Sequence, residues 1–249
     1  MTLAKQRARR PEDKETRRRD IIQAATELLA ERRFAEIKMI DIARQARLAK
    51  GTLFLYFPTK ETLFLDVIVV ELEQWLGEVD ERLSSGRGRW TAARVTRVLT
   101  ETLADRDTLT RLLTLVSSVL ENNADVDRII VFKTRLLQRL ISTGALLEER
   151  LSFLGKGGGV MLLLRYYAMV VGLRQLADPG DTARQALARM YAMSVGAGQR
   201  PAAGDKVAAS GEFLLTMAKD HVPNLMVNFQ RELEGMLATY LRGLDSGAD

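Results

Sequence analysis

The chain has 249 residues, with 37 lysines and arginines, 32 aspartates and glutamates, and no cysteine. This length allows one large domain or two small ones with a substantial buried core. The absence of cysteine excludes disulfides, thiolate catalysis and thiolate metal sites, and it is typical of a reducing cytoplasm. Because Leu, Ala, Val, Ile and Met dominate and strand-like alternation is scarce, the composition predicts an all-α fold.

The positive charge is concentrated at the N-terminal end. Residues 1–60 contain 15 basic and 8 acidic residues, a net charge of +7, whereas the rest of the chain has a net charge of −2. A basic region attracts polyanions through salt-sensitive contacts with phosphates. We expect residues 1–13 to be a flexible basic arm, and a merely solvated tail remains an equal alternative for that segment.

Apolar spacing predicts a cluster of three helices, Glu15–Arg32, Lys38–Ala46 and Lys50–Phe57. Arg47 and Leu48 form the turn between the second and third helices. Pro58 ends the third helix because proline disfavours helical geometry in the residue before it. Thr59 then occupies the N-cap position of a fourth helix. On the first helix, Arg17, Arg18 and Arg19 are predicted to lie on the outer face.

The third helix has two distinct faces. At about 100° per residue, Leu53, Phe54 and Phe57 fall on a side predicted to be buried. The opposite side carries Gly51, Thr52, Leu55 and Tyr56, with Lys50 at the edge. A short projecting helix with this composition suits insertion into the major groove of DNA. The alternative is a small helical core with a solvated basic face.

The three predicted N-terminal helices and the start of the fourth resemble the DNA-binding domain of the tetracycline-repressor (TetR) family of bacterial regulators. The resemblance covers about 50 residues, and its most specific part is the run Lys50-Gly51-Thr52-Leu53-x-x-Tyr56-Phe57-Pro58-x-Lys60-Glu61-x-Leu63-Phe64. It implies a helix-turn-helix DNA-binding domain over residues 14–60. It also implies a helical effector-binding and dimerisation domain over residues 61–249. The DNA-binding residues that it implies are Arg17, Arg18, Lys38, Arg47, Ala49, Lys50, Gly51, Thr52, Leu55, Tyr56 and Lys60.

Three residues depart from the pattern of the family. Ala49 stands where a serine or threonine is usual, Lys38 where threonine is usual, and Phe54 where tyrosine is common. Each change removes a hydroxyl that could bond a phosphate or cap a helix, and a lost cap costs roughly 1 kcal/mol. We expect altered contacts with DNA, and more dependence on Arg17, Arg18 and Lys38.

Beyond residue 60 the pattern predicts a helical bundle. The predicted helices are Glu61–Leu83, Trp90–Ala104, Thr108–Asn122, Val126–Arg150, Val160–Ala177 and Thr182–Val195, with more between Ser210 and Leu244. Asp107, Asp125 and Asp181 are predicted N-caps. Gly155–Gly159 lacks the order of a phosphate-binding loop and is predicted to connect helices. No catalytic constellation, metal-ligand set or cofactor motif is present, so we expect neither an enzyme nor a bound cofactor.

Two apolar segments are predicted to pair two protomers, because the resemblance implies a dimer held by the equivalent helices. The predicted interface residues are Met161, Leu162, Tyr166, Met169, Leu173, Phe229, Leu233, Met236, Leu237 and Tyr240. Ordinary core helices are the alternative. The apolar run Val160–Leu173 contains Arg165 and is too short to span a bilayer, so no membrane association is expected.

The resemblance further implies a cytoplasmic repressor that binds a palindromic operator and is released by a small effector. Because apolar residues dominate the bundle, an apolar or aromatic effector is expected. Its predicted contacts are Trp90, Asn122, Asn123 and Tyr167. The alternative function is a small-molecule- or protein-binding module of the same fold, with weak or no specific binding of DNA.

Overall fold

The computed structural model describes residues 11–178 and 228–247, with isolated positions between 182 and 189. Within these residues the chain forms helices and turns and contains no β-strand, so the predicted all-α fold is confirmed. Most of the predicted helix Thr182–Val195, the predicted cap Asp181 and the predicted helical residues 210–227 lie outside the described residues. So do residues 1–10 of the predicted arm.

The α-helices are α1 (Pro11–Glu31), α2 (Met39–Gln45), α3 (Lys50–Tyr56), α4 (Lys60–Ser85), α5 (Ala92–Ala104), α6 (Asp107–Leu113), α7 (Val126–Arg150), α8 (Gly158–Ala177) and α9 (Phe229–Ser246). Short 3₁₀ helices lie at Phe34–Glu36, Glu121–Asn123 and Ser152–Leu154, and a π-helix lies at Val116–Leu120. Helix α1 thus begins before the predicted Glu15. Proline suits this start because the first turn needs no amide hydrogen bond.

The predicted helix Thr108–Asn122 is wrong beyond Leu113. The chain there passes into the π-helix and then a 3₁₀ turn, an irregularity that periodicity does not reveal. Asp107 lies inside α6 and does not cap it, since Arg106 holds the cap position without a side-chain bond. The other two testable caps are confirmed: Asp125 accepts from the amide of Arg128 at 3.0 Å, and Thr59 from that of Thr62 at 3.1 Å.

The long helix α4 runs through the molecule and contacts α1, α5, α6 and α7. Deep in the bundle, the ring of Trp75 on α4 stacks on that of Tyr166 on α8, with centroids 6.0 Å apart. Trp75 Nε1 donates to Thr102 Oγ1 at 3.0 Å, and Tyr166 Oη donates to the carbonyl of Leu99 at 3.0 Å. Both aromatic groups therefore combine apolar burial with a satisfied polar atom, and burial raises the pKa of Tyr166.

Helices α7 and α8 meet at two glycines. A Cβ placed on Gly159 would lie 2.0 Å from the carbonyl oxygen of Gly144, so only glycine permits this approach. Glu148 Oε1 accepts from the amide of Gly159 at 3.0 Å and satisfies a free donor at the start of α8. The preceding connector contains Gly155 and Gly157 with φ of 66° and 82°, in the region that favours glycine.

Helix α8 is the one helix among the described residues that is long and apolar enough to cross a membrane by length and composition. One side of it is buried against the protein through Leu162, Leu163, Tyr166 and Val170. The core helix of a soluble protein passes the same test of composition, so this helix is weak evidence for a membrane span.

We expect Gly159→Ala to lower the free energy of unfolding by about 1–3 kcal/mol or more, because the added methyl group forces α7 and α8 apart. Urea denaturation measures the change. Gly77→Ala is the matched control, since a Cβ there meets nothing within 4 Å. That control is expected to raise the stability by about 0.5–1 kcal/mol through helix propensity. Equal effects of the two substitutions would contradict the proposed role of the glycine contact.

Candidate nucleic-acid interface

The turn between α2 and α3 has the hydrogen bonds of a Schellman motif. The amide of Leu48 donates to the carbonyl of Ala43 at 2.8 Å, and the amide of Arg47 donates to that of Arg44 at 3.1 Å. Arg47 has φ of 55°, the left-handed conformation that glycine usually supplies at this position. The predicted turn is therefore confirmed, and its geometry sets the angle at which α3 leaves α2.

Helix α3 is anchored by one side only. Leu53 and the following Phe57 are fully buried. The prediction that Phe54 is also buried is wrong, since 40% of it is exposed. Its ring lies 5.7 Å from the ammonium of Lys50. Seven residues are too few to bury three bulky side chains on one side, and Phe54 lies at the margin of that side.

The outward side of α3 carries the residues that the sequence predicted there. Lys50, Gly51 and Leu55 are exposed, whereas Thr52 and Tyr56 are half-buried. A Cβ placed on Gly51 would meet nothing within 4 Å, so no contact inside the protein requires glycine there. The structure thus brings these five predicted residues onto one small accessible surface.

Ala49 and Lys38 stand at helix N-caps where the family usually has a hydroxyl side chain, and the structure compensates for the missing hydroxyl at only one of them. Ala49 is the N-cap of α3 and makes no side-chain hydrogen bond, so the missing hydroxyl is uncompensated there. Lys38 is the exposed N-cap of α2, and Asp41 Oδ2 accepts from its amide at 3.1 Å. Asp41 therefore supplies the return half of a capping box, a signal that the sequence already contained.

Lys60 is turned into the protein. Its Nζ donates to the carbonyl of Phe34 at 2.8 Å and to that of Ile37 at 3.0 Å, and lies 4.0 Å from the centroid of the Phe34 ring. Burial lowers the pKa of this ammonium group. Because the group is engaged by two carbonyls and an aromatic ring of the protein, its geometry does not support the phosphate contact that the sequence predicted.

Arg18 is also directed inward. Its guanidinium forms an ion pair and hydrogen bond with Asp66 on α4, both side chains being mostly buried. It also lies 4.7 Å from the centroid of the Phe57 ring. Burial raises the pKa of Asp66, and the positive charge of Arg18 opposes that effect. The predicted outer position of Arg18 is therefore wrong, because Asp66, 48 residues away in sequence, is its partner.

The remaining predicted arginines lie at the junction with α4. Arg17 and Arg47 line an open cleft of 620 Å³ between α1, the end of α2 and the Val70–Gln74 part of α4. Arg44, which sequence reasoning missed, is exposed in the last turn of α2.

Three of the four predicted effector contacts have other roles. Trp90 stacks against Arg94, whose guanidinium lies 4.0 Å from the ring centroid, in the connection between α4 and α5. Asn122 and Asn123 are exposed and donate to backbone carbonyls one turn earlier. Tyr167 is half-buried and donates to the carbonyl of Leu113 at 3.4 Å, and burial, with the nearby Glu121, raises its pKa.

Half of the predicted dimer contacts lie inside the protomer. These residues are Leu162, Tyr166, Leu173, Leu233 and Leu237. They cannot contribute surface to an interface because the core of the protomer already covers them. Met169, Phe229 and Tyr240 are half-buried, whereas Met161 and Met236 are exposed. Helices α8 and α9, which carry these residues, are joined by a hydrogen bond from Arg165 to Tyr240 Oη.

Two family models match the chain. One, described as "Bacterial regulatory proteins, tetR family", matches residues 21–67, and the other, "Tetracyclin repressor-like, C-terminal domain", matches residues 69–210. The second alone covers more than half of the chain. The chain belongs to the TetR family. It is therefore a TetR-family transcriptional regulator with an N-terminal helix-turn-helix and a C-terminal helical domain.

Individual proteins match this TetR-family chain only over a short segment or at low sequence identity. The fatty acid metabolism regulator protein of Bacillus subtilis (strain 168) is 34% identical over 61 residues, which are 24% of this chain and 31% of that protein. The structure of a TetR-family regulator from Marinobacter aquaeolei VT8 is 19% identical, with a TM-score of 0.44, over 85% of this chain and 97% of that one.

The TetR-family repressor AlkX from Dietzia sp. strain DQ12-45-1b is described as implicated in the biodegradation of n-alkanes. Its structure is 16% identical, with a TM-score of 0.42, over 91% of this chain and 95% of that one. Because these identities and TM-scores are low, membership of the TetR family depends on the two family models.

We expect Lys60→Met to lower the free energy of unfolding by about 1–2 kcal/mol, because two carbonyls lose a charged donor. Lys50→Met is the matched control, since Lys50 is exposed, and is expected to change stability by less than about 0.5 kcal/mol. Denaturant titration of both variants measures the difference. An unchanged stability, together with a salt slope of DNA binding reduced by about 1, would instead identify Lys60 as a phosphate contact.

Proposed function

We propose that this protein is a dimeric repressor that binds a palindromic operator and is released by a small apolar effector in the cytoplasm. The observation that carries the proposal is the exposed outward surface of α3, while the ion pair of Arg18 with Asp66 and the bonds of Lys60 to Phe34 and Ile37 connect the flanking helices α1 and α4. An exposed helix supported by its neighbours on one side is what docking in the major groove requires.

The proposed DNA surface is revised by the geometry. Gly51, Thr52 and Leu55 face the bases, whereas Lys38, Lys50 and Tyr56 contact phosphates on either side. Arg17 and Arg47 lie at the flank, and Ala49 brings the backbone of the α3 N-terminus close to the DNA. Arg18 and Lys60 are removed from the contact set and act by positioning α3 and α4.

The proposed organisation assigns residues 14–60 to DNA binding and residues 61–249 to effector binding and dimerisation. Exposed apolar and small residues of α8 supply the dimer surface: Met161, Leu164, Ala168, Gly172 and Leu176. Their spacing places them on the side of α8 opposite Leu162 and Val170. Met236 on α9 extends this surface, since α8 packs on α9.

The apolar effector is proposed from the composition of the bundle. The relative that regulates fatty acid metabolism is compatible with it but adds little, because the match covers 31% of that protein. Tyr167 remains a candidate contact, since it lies beside the irregular π-helix and near Glu121. A π-helical segment is a common location for function because its backbone is already distorted.

The direct test is a footprint of the purified protein on the DNA that flanks its own gene, repeated at several salt concentrations. A palindromic footprint that weakens steeply with salt supports the proposal, because phosphate contacts release counterions. Protection without any sequence preference would contradict it, and would favour a small-molecule- or protein-binding module of the same fold.

We expect Gly51→Ala to separate folding from DNA binding. The substitution meets no atom within 4 Å, so it should raise the free energy of unfolding by about 0.5–1 kcal/mol. If α3 docks closely on DNA, the same methyl group should weaken operator binding by about tenfold or more. Gly77→Ala on α4 is the control, with the same gain in stability and unchanged binding. Unchanged affinity of the Gly51 variant would place α3 away from the DNA.

The proposed dimer surface on α8 and α9 predicts which substitutions change the oligomeric state of the protein. Replacing both Met161 and Met236 by glutamate should shift the protein toward monomer in sedimentation velocity, because charges would be buried at the interface. The control variant carries glutamate at Val126 and Ile130 on α7, whose exposed fractions are 73% and 57%. If the control variant dissociated instead, α7 rather than α8 and α9 would form the interface.

A further inference from the structure

Leu55 is the most exposed of the large apolar side chains in the described part of the chain, with 82% of its surface accessible. At about 100° per residue, it points directly away from the line between the buried Leu53 and Phe57. A single exposed leucine is ordinary on a protein surface. This one, however, occupies the outermost point of the helix proposed to enter the major groove.

The surface around Leu55 is open and carries no charge at its centre. Gly51 lies one helical turn earlier on the same face and leaves a gap there, since a Cβ would meet nothing within 4 Å. The nearest cation along α3 is Lys50, whose ammonium lies 5.7 Å from the centroid of the Phe54 ring. The outermost residue of α3 is therefore Leu55, which projects beside the open space at Gly51. Lys50 supplies a positive charge at the edge of this surface.

A leucine side chain cannot donate or accept a hydrogen bond, so it cannot read the polar pattern of a base pair. The apolar group that base-pair edges present in the major groove is the C5-methyl group of thymine. Burying this methyl group against an apolar side chain removes both surfaces from water.

We propose that Leu55 selects thymine in each operator half-site by packing against its C5-methyl group, while Gly51 admits the edge of the neighbouring base pair. This inference rests on the proposed operator-binding function and specifies what the site recognises. The bound partner is duplex DNA with an A·T pair beneath Leu55, and the basic residues at the flanks of α3 supply the complementary charge.

Selection from a pool of random duplexes with the full-length protein first yields the bound sequence. Each thymine of one half-site, and its symmetry mate, is then replaced by uracil, which keeps every hydrogen-bonding group and removes only the methyl. Wild-type protein, Leu55→Ala and Val126→Ala are titrated with each duplex. The last variant shortens an apolar residue of similar exposure on α7, with 73% accessible.

For the wild type we expect uracil at one or two positions to weaken binding roughly fourfold per half-site, the effect of returning about one methyl group to water. Leu55→Ala should lose about as much on the thymine duplex and show no further loss with uracil. Val126→Ala should behave as the wild type. The Leu55 variant is expected to fold, since its side chain is exposed.

Two results would overturn the inference while leaving operator binding intact. In the first, uracil has no effect on the wild type at any position, or the enriched site contains no thymine. In the second, Leu55→Ala retains the full sensitivity to uracil. Failure to enrich any sequence would instead refute the proposed operator binding itself, and the inference with it.

Discussion

The ammonium group of Lys60 is the contact on which the geometry of the N-terminal unit depends. It lies at the first residue of α4 and binds two carbonyls of the segment between α1 and α2. The ion pair of Arg18 with Asp66 makes a second connection, about 1.7 turns further along α4. These polar contacts connect the start of α4 to α1 and to the segment between α1 and α2.

The engagement of Arg18 and Lys60 by other residues of the protein changes how the basic N-terminal region is understood. Part of the positive charge stabilises the junction with α4, and the part facing outward is smaller than the sequence suggests. At the centre of the outward surface of α3 stand a glycine and a leucine, so in the proposed complex with DNA charge would supply attraction at the edges, whereas shape and apolar contact would determine the fit at the centre. At the start of α3, Ala49 provides no side-chain cap, and the amide of Thr52 donates to the carbonyl of Ala49 at 2.9 Å.

In the C-terminal bundle, a single apolar helix can likewise have one side buried in the protomer and another side exposed. Helix α8 is apolar on nearly every side, and its two sides have different environments. One side is buried on α7 across the contact of Gly144 with Gly159, and the other exposes Met161 and Leu164. The buried side accounts for stability of the protomer, whereas the exposed side is the area that a second protomer could cover.

The sequence by itself determined the helical class, the three-helix cluster, the turn at Arg47 and the outward position of Gly51, Thr52 and Leu55. These features are local, since they follow from helical periodicity, cap residues and a proline that ends α3. It could not determine the inward direction of Arg18 and Lys60, because their partners lie 48 and up to 26 residues away in sequence. The sequence also could not distinguish the buried side of α8 from its exposed side, because both sides carry apolar residues. Only the packing of one helix on another decided which cations and which apolar residues remain available to a partner.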